Sequence, residues 1–322
     1  MTHISLAVPE IGSSLLAAMG RLGLGDHNTR VVVFASVLLG LASGGVGVFT
    51  LLRRRALIGD ALSHAMLPGI GVAFLIGSTF GDFGKNLLLL LTGALASGLL
   101  GVFTILGIRR WSRTQEDAAL GIVLSVFFGL GLVLLGLVQQ IGGGHAAGLE
   151  SFIYGKTASI TIRDAFWIAA ISVPALALVL VLMKEWSLVC FDEVQARVGG
   201  LPIGMVDVVM MGAVVAVLVV GLQAVGVILM IALLVIPAAA ARFWTQRVST
   251  MVLISALIGG LSGMVGSLVS AVAEDWPSGA TIVLVAASIF GFSLFAGTRR
   301  GLFARYRERQ SARRQAIGEV NA

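Results

Sequence analysis

Five stretches of the chain stay apolar for twenty residues or more: Val31–Leu52, Leu87–Ile108, Ala118–Val138, Asp164–Met183 and Ser249–Ala273. A helix of about 20 residues crosses the roughly 30 Å hydrocarbon core of a bilayer, so each stretch predicts a membrane-spanning helix. Shorter or interrupted runs at Ala61–Gly77, Met205–Leu222, Ala224–Ala241 and Thr281–Gly297 predict four more. The total is nine, or eight if an interrupted run is a half-helix. Pro68, Pro174 and Pro237 fall inside apolar runs. Each removes a backbone donor and crowds the carbonyl four residues earlier. In lipid such places survive only where protein or a cavity satisfies the freed groups. Pro68 and Pro237 are therefore read as helix breaks on a candidate pathway.

The polar positions between the runs alternate in charge. Every second connection is basic: Arg53, Arg54 and Arg55; Arg109, Arg110 and Arg113; Lys184 and Arg197; Arg242 and Arg247; and a tail with seven arginines from Arg299 to Arg314. Those hold 17 of the 22 lysines and arginines, and the other side holds Arg21, Arg30, Lys85, Lys156 and Arg163. Positive charge is retained on the cytoplasmic side of membrane helices. The pattern predicts an outward N-terminus and a cytoplasmic C-terminus.

Composition agrees. Hydrophobic residues make up 57% of the 322 positions and charged ones 12%, with mean hydropathy +1.01. Soluble domains are about 25% charged, so too little polar surface is left to cover a water-soluble body. The 42 glycines suit helices that pack closely in lipid. The one cysteine, Cys190, excludes both an internal disulfide and a thiolate metal cage within one chain. The net charge of +6 resides largely in the tail, which is read as lying against anionic lipid and not nucleic acid.

Against this apolar background one segment stands out. RRRALIGDALSHAMLPG, from Arg53 to Gly69, puts Asp60 and His64 four residues apart, on one face if the stretch is helical. Aspartate before an apolar run also suits a helix N-cap, and both readings of Asp60 stand at this point. His64 is the only one of the four histidines inside an apolar run. Intramembrane ionisable groups are functional by default. Imidazole with carboxylate oxygen suits zinc, manganese or iron(II), and the lack of further cysteines argues against copper(I). Two ligands do not complete a site; the rest would come from other helices or a second copy of the chain.

The run RRRALIGDALSHAMLPGIGVAFLIG resembles the permease subunits of bacterial manganese/zinc/iron ABC importers, the ABC-3 family. So do TQEDAALGIVLSVFFGLG from Thr114, SFIYGK from Ser151, FDEVQARVGGLP from Phe191, GLQAVGVILMIALLVIPAAAARF from Gly221 and DWPSGATIVL from Asp275. The resemblance implies that Asp60 and His64 coordinate the transported metal. It implies a homodimer of permeases, two ATP-binding subunits and an extracytoplasmic metal-binding protein. It also implies that the polar interruption KEWSLVCFDEVQARVGGLP, with Asp192, Glu193, Arg197, Gly199 and Gly200, is the elbow that docks on the ATPase. From composition alone the same stretch is a solvated connecting helix, acidic at its start and basic at its end.

The chain carries no P-loop of its own. GDFGKN at Gly81–Asn86 lacks the first glycine at the right spacing and the hydroxyl residue after lysine. Glu116 and Asp117 read as helix caps, and Glu274, Asp275 and Trp276 as an outward turn or a contact for a metal-loaded binding protein. The sequence thus predicts an all-α integral membrane protein of 8–9 spans. Its parts are a lead-in over 1–30, a permease domain over 31–298 with the elbow near 184–204, and a cytoplasmic tail over 299–322. The predicted role is the translocating subunit of an ATP-driven Mn²⁺, Zn²⁺ or Fe²⁺ importer in a bacterial inner or plasma membrane. It would hold no permanent cofactor, the ATP being bound by partner subunits. A proton-coupled metal carrier is the competing class, since broken helices and buried ionisable groups serve it equally.

Overall fold

In lipid a backbone must satisfy its polar groups within its own segment, so apolar runs of this length fold as helices. The computed structural model describes residues 27–53, 55, 57–79, 86–141, 160–272, 276–298, 301 and 303, and all regular structure among them is helical. In chain order the helices are α1 (His27–Leu52), α2 (Ile58–Thr79), α3 (Leu87–Trp111), α4 (Glu116–Ile141), α5 (Ile162–Val181), α6 (Met183–Phe191), α7 (Glu193–Val198), α8 (Ile203–Val225), α9 (Val227–Ala241), α10 (Val248–Val272) and α11 (Ser278–Ala296). Eight of these are long and apolar enough to cross a membrane: α1 to α5, α8, α10 and α11. The protein is a multi-pass membrane protein.

The ninth run, Ala224–Ala241, does not form a full span. Its first two residues complete α8, and Gly226 at φ +84° turns the chain into α9. That conformation is open to glycine and strained for other residues. At 1.5 Å per residue the 15 residues of α9 rise about 22 Å, short of the hydrocarbon thickness. No described side chain of α9 is exposed. The shortest of the strongly apolar helices is thus enclosed by the others. The prolines behave differently from expectation. Pro68 lies within α2 and Pro237 within α9, and both helices continue past them. Both prolines are buried among neighbouring helices, so the disturbance stays local. The chain break falls at Gly226 instead.

Two groups of helices make up the bundle. In the first, α2 packs on α3 and α4; in the second, α1 packs on α10, α9 and α5, with α11 against α9 and α10. Helix α8 touches members of both. The α1–α10 seam is closest. A methyl group at Gly40 would strike the Gly259 backbone, and one at Gly259 would strike Gly40. The Ser255 hydroxyl donates to the Gly44 carbonyl across the same seam at 2.6 Å. Gly263 meets Ser36 and Gly266 meets Ile282 in the same way. Helices α4, α5 and α11 carry exposed large apolar side chains such as Val126, Val133, Phe166, Val173, Leu284 and Phe292, suited to lipid or another chain.

Several sequence expectations lie outside the described residues: most of the lead-in, the SFIYGK stretch, the GDFGKN stretch up to Lys85, the acids Glu274 and Asp275, and nearly all of the tail. Helix α1 begins at His27, four residues before the apolar run does.

Overpacking the seam should destabilise the fold by about 1–3 kcal/mol. We expect Gly259→Ala to lower the thermal midpoint in detergent. Gly291→Ala, where a methyl group meets open space, should leave it level or slightly higher, as alanine favours helix. Equal midpoints for the two variants would contradict the seam.

Candidate functional site

The connection from α1 to α2 is short and tightly bonded. The amide of Arg55 donates to the Thr50 carbonyl at 2.9 Å, and that of Ile58 to the Arg55 carbonyl at 3.0 Å. Helix α2 then starts at Ile58, so Asp60 falls in its first turn, where a negative charge meets the positive end of the helix dipole. His64 follows one turn later, about 9 Å along a helix about 33 Å long. The pair therefore sits near the arginine-bearing end of the bundle.

The structure brings the two side chains together. His64 Nε2 lies 3.3 Å from Asp60 Oδ1, and the side chains are 24% and 38% exposed. The imidazole meets the Phe128 ring of α4 edge-on, with centroids 4.7 Å apart. Its Nδ1 is buried and makes no hydrogen bond among the described residues. Ser63 donates to the Asp60 carbonyl at 2.9 Å. Asp60 is thus the third residue of the helix and not its N-cap, and its side chain faces the histidine. The pair is partly exposed on its carboxylate side, while the imidazole Nδ1 is shielded. Among the described residues no third His, Cys, Asp or Glu joins them. A divalent cation would find here half of a coordination shell, open on one side.

The elbow lies at the same end. Asp192 caps α7 by accepting from the Gln195 amide at 2.8 Å, and Gly200 at φ +78° ends it. Gly199 supplies the C-cap. Glu193 and Arg197 pair at 3.4 Å on its outer face. Phe191, Val194 and Val198 are 68%, 75% and 78% exposed, an apolar face at a polar end of the bundle. At its root the elbow is fixed by Trp186 of α6, fully buried and T-shaped against Phe49 of α1 at 5.0 Å.

The sequence reading missed one residue. Asp207, in the second turn of α8, is buried and receives Arg53 Nη2 at 2.5 Å and Arg55 Nη2 at 3.4 Å. Arg53 also reaches Glu193 at 3.4 Å, while Arg55 and Arg109 pair with Glu116. Glu116 is therefore more than a helix cap. Nothing in the local sequence flags Asp207, because its partners lie some 150 positions away; only the rarity of an acid in a long apolar run could have done so. Burial pulls the Arg53 pKa down, but the charge and hydrogen bond of Asp207, with Glu193, outweigh it and the net shift is upward. Cys190 of α6 is pushed up to about 11, chiefly by burial, with Asp207 adding to it and Arg53 and Arg55 opposing. It stays a thiol at neutral pH and is a poor metal ligand.

Residues 26–297 match the model of the ABC 3 transport family. The chain belongs to that family. It is 44% identical over 284 residues to the manganese transport system membrane protein MntC of Bacillus subtilis, covering 88% of this chain and 64% of that protein. It is 42% identical over 294 residues to the zinc transport system membrane protein TroC of Treponema pallidum, covering 91% and 97%. Among solved structures it resembles PsaBC from Streptococcus pneumoniae in complex with Fab, at TM-score 0.73 and 29% identity over 89% of this chain and 97% of that one. An inward-facing putative metal-chelate type ABC transporter shares the fold at TM-score 0.62 and 18% identity, over 92% of this chain and 93% of that one. Both structures share the helical fold described above.

The state of Cys190 is open to test. Maleimide labelling follows thiolate, so the native protein should react slowly at pH 7 and faster up to about pH 11. The unfolded chain should reach half its limiting rate near pH 8.5. A raised thiol pKa stabilises the fold fully below the unfolded value, and that contribution fades as pH rises through the folded one. Coincident labelling profiles would show that the site is not shielded.

Proposed function

We propose that this chain is the translocating subunit of an ATP-driven importer of a divalent metal ion, manganese, zinc or iron(II). The observation that carries this is the Asp60–His64 pair, in contact and partly exposed, in a chain of the ABC 3 transport family. Relatives named as manganese and zinc transport membrane proteins support the cargo class. Two copies of the chain would bring two such half-shells to one pathway. A site of few ligands releases its ion readily, which transport requires.

In this reading the arginine-bearing end is cytoplasmic, as is the C-terminus, in a bacterial inner or plasma membrane. The elbow offers Phe191, Val194 and Val198 to a separate ATP-binding subunit, with Asp192 and Gly200 shaping the turn. An extracytoplasmic binding protein delivers the ion at the other end. Closure of two ATPase subunits moves the elbows, the permeases rock, and the Asp60–His64 sites are exposed alternately to the two sides.

His64→Ala should cut uptake of radiolabelled Mn²⁺ or Zn²⁺ into proteoliposomes by at least about tenfold, since even outer partners of metal ligands are worth that much. The variant should still purify as an assembled complex. Unchanged uptake would reduce His64 to a packing residue. Uptake by the wild type that needs no ATPase and follows a proton gradient would overturn the importer reading in favour of a secondary carrier.

Replacing both Val194 and Val198 by Ser removes two apolar side chains worth about 1.5–3 kcal/mol each when fully buried. The ATPase subunit should then co-purify poorly while the permease remains folded. Retention of the ATPase at wild-type levels would exclude that face as the docking surface.

A further inference from the structure

The charges at the arginine-bearing end join into one continuous line. Arg53 uses both terminal nitrogens: Nη1 reaches Glu193 of the elbow at 3.4 Å, and Nη2 reaches Asp207 of α8 at 2.5 Å. Arg55 also bridges two carboxylates, with Nη2 on the other Asp207 oxygen at 3.4 Å and Nε on Glu116 of α4. Arg109 at the end of α3 closes the line, 3.4 Å from Glu116 and 3.9 Å from Asp207. Among the described residues Asp207 is the only group in contact with all three arginines. The Arg55 carbonyl then accepts the Ile58 amide that opens α2, two residues before Asp60.

The members of this line are not equally held. Asp207 and Arg55 are almost wholly buried, so separating them would strand a charge away from water. Glu193 is 44% exposed, and a pair at such a surface forms and breaks at little cost. The line thus has a fixed centre at Asp207 and a releasable end on the elbow. Any displacement of the elbow relative to α8 must either drag Arg53 or let it go. Arg53 in turn is tied to the short connection that sets where Asp60 sits.

We propose that Asp207 is a positioning residue for transport. Its carboxylate holds Arg53 and Arg55 so that motion of the elbow reaches the first turn of α2 and the Asp60–His64 pair. This inference rests on the importer reading above. It touches no metal; it sets the place of groups that do. Its loss should therefore spoil the transfer of work more than the folding of the chain. Asn at this position keeps the shape and removes the charge. Glu keeps the charge and lengthens the arm.

The test uses the full complex of permease and ATPase in proteoliposomes, with the binding protein loaded with Mn²⁺, and reads Mn²⁺ imported per ATP hydrolysed. Asp207→Asn should lower that ratio by about tenfold, within the usual range for coupling between sites. Asp207→Glu should recover most of it. An assembled Asp207→Asn complex whose ratio is unchanged, including one in which uptake and hydrolysis fall together, overturns the proposal. If neither variant at 207 assembles, Glu193→Gln at the exposed end decides: a fall of about threefold or more supports the line, and no change overturns it. A wild-type complex without ATP-dependent uptake overturns the importer reading, and this inference with it. Normal wild-type import beside an unaffected Asp207→Asn ratio overturns this inference alone.

Discussion

A carboxylate enclosed by helices must have a cation beside it, and Asp207 has three within 4 Å. Isolated ionised groups in apolar surroundings cost several kcal/mol each, about what their mutual attraction returns when the geometry is good. The gain is therefore less in net stability than in restriction. Five segments from three parts of the sequence, namely the α1–α2 connection, the end of α3 with the start of α4, and the elbow with the start of α8, have one arrangement that gives Asp207 its cations. The apolar packing of the bundle has no comparable preference for register, since one aliphatic contact resembles another. The ion pairs fix which end of each helix meets which.

At the other extreme of chemistry, the α1–α10 seam works by absence. Where Gly40 and Gly259 face one another, backbone touches backbone, and Ser255 adds a hydrogen bond across the gap. Without water to squeeze out, membrane helices associate through such contact and through hydrogen bonds. The seam and the ion pairs divide the labour. One binds α1 tightly within its own group of helices, and the other ties the end of α1 to α2, α3, α4 and α8. The Asp60–His64 pair lies next to the second, and just beyond His64 the Ser97 hydroxyl of α3 donates to the Ala65 carbonyl at 2.6 Å.

How much of this was legible beforehand follows from the range of each interaction. Helix existence was readable because lipid imposes a length and an apolarity on every span. The Asp60–His64 pair was readable because its two members are one turn apart. The elbow was readable as a polar interruption with a helix's own charge order. Asp207 was not, because an acid in a run as apolar as Ile203–Val225 declares its meaning only through Arg53 and Arg55. Glu116 had a sufficient local explanation as a cap, which hid its long-range one. Pro68 and Pro237 misled for the converse reason. Proline's effect on a helix is local and known, but whether neighbours absorb it depends on packing that no local window contains.

Helix α9 has a property that follows from its enclosure. Each outer helix is bound to the thickness of the bilayer, since shortening or lengthening it would bare apolar surface or drown polar ends. None of the described side chains of α9 is exposed, so its 15 residues answer less to that gauge. Its side chains form the lining against which α1, α10 and α11 rest, and Leu234 lies directly against Gly59, the residue before Asp60. Membranes of different lipid composition would strain the outer helices and leave this inner strut at its natural length. The turn that carries Asp60 thus leans on a helix with no exposed side chain among the described residues.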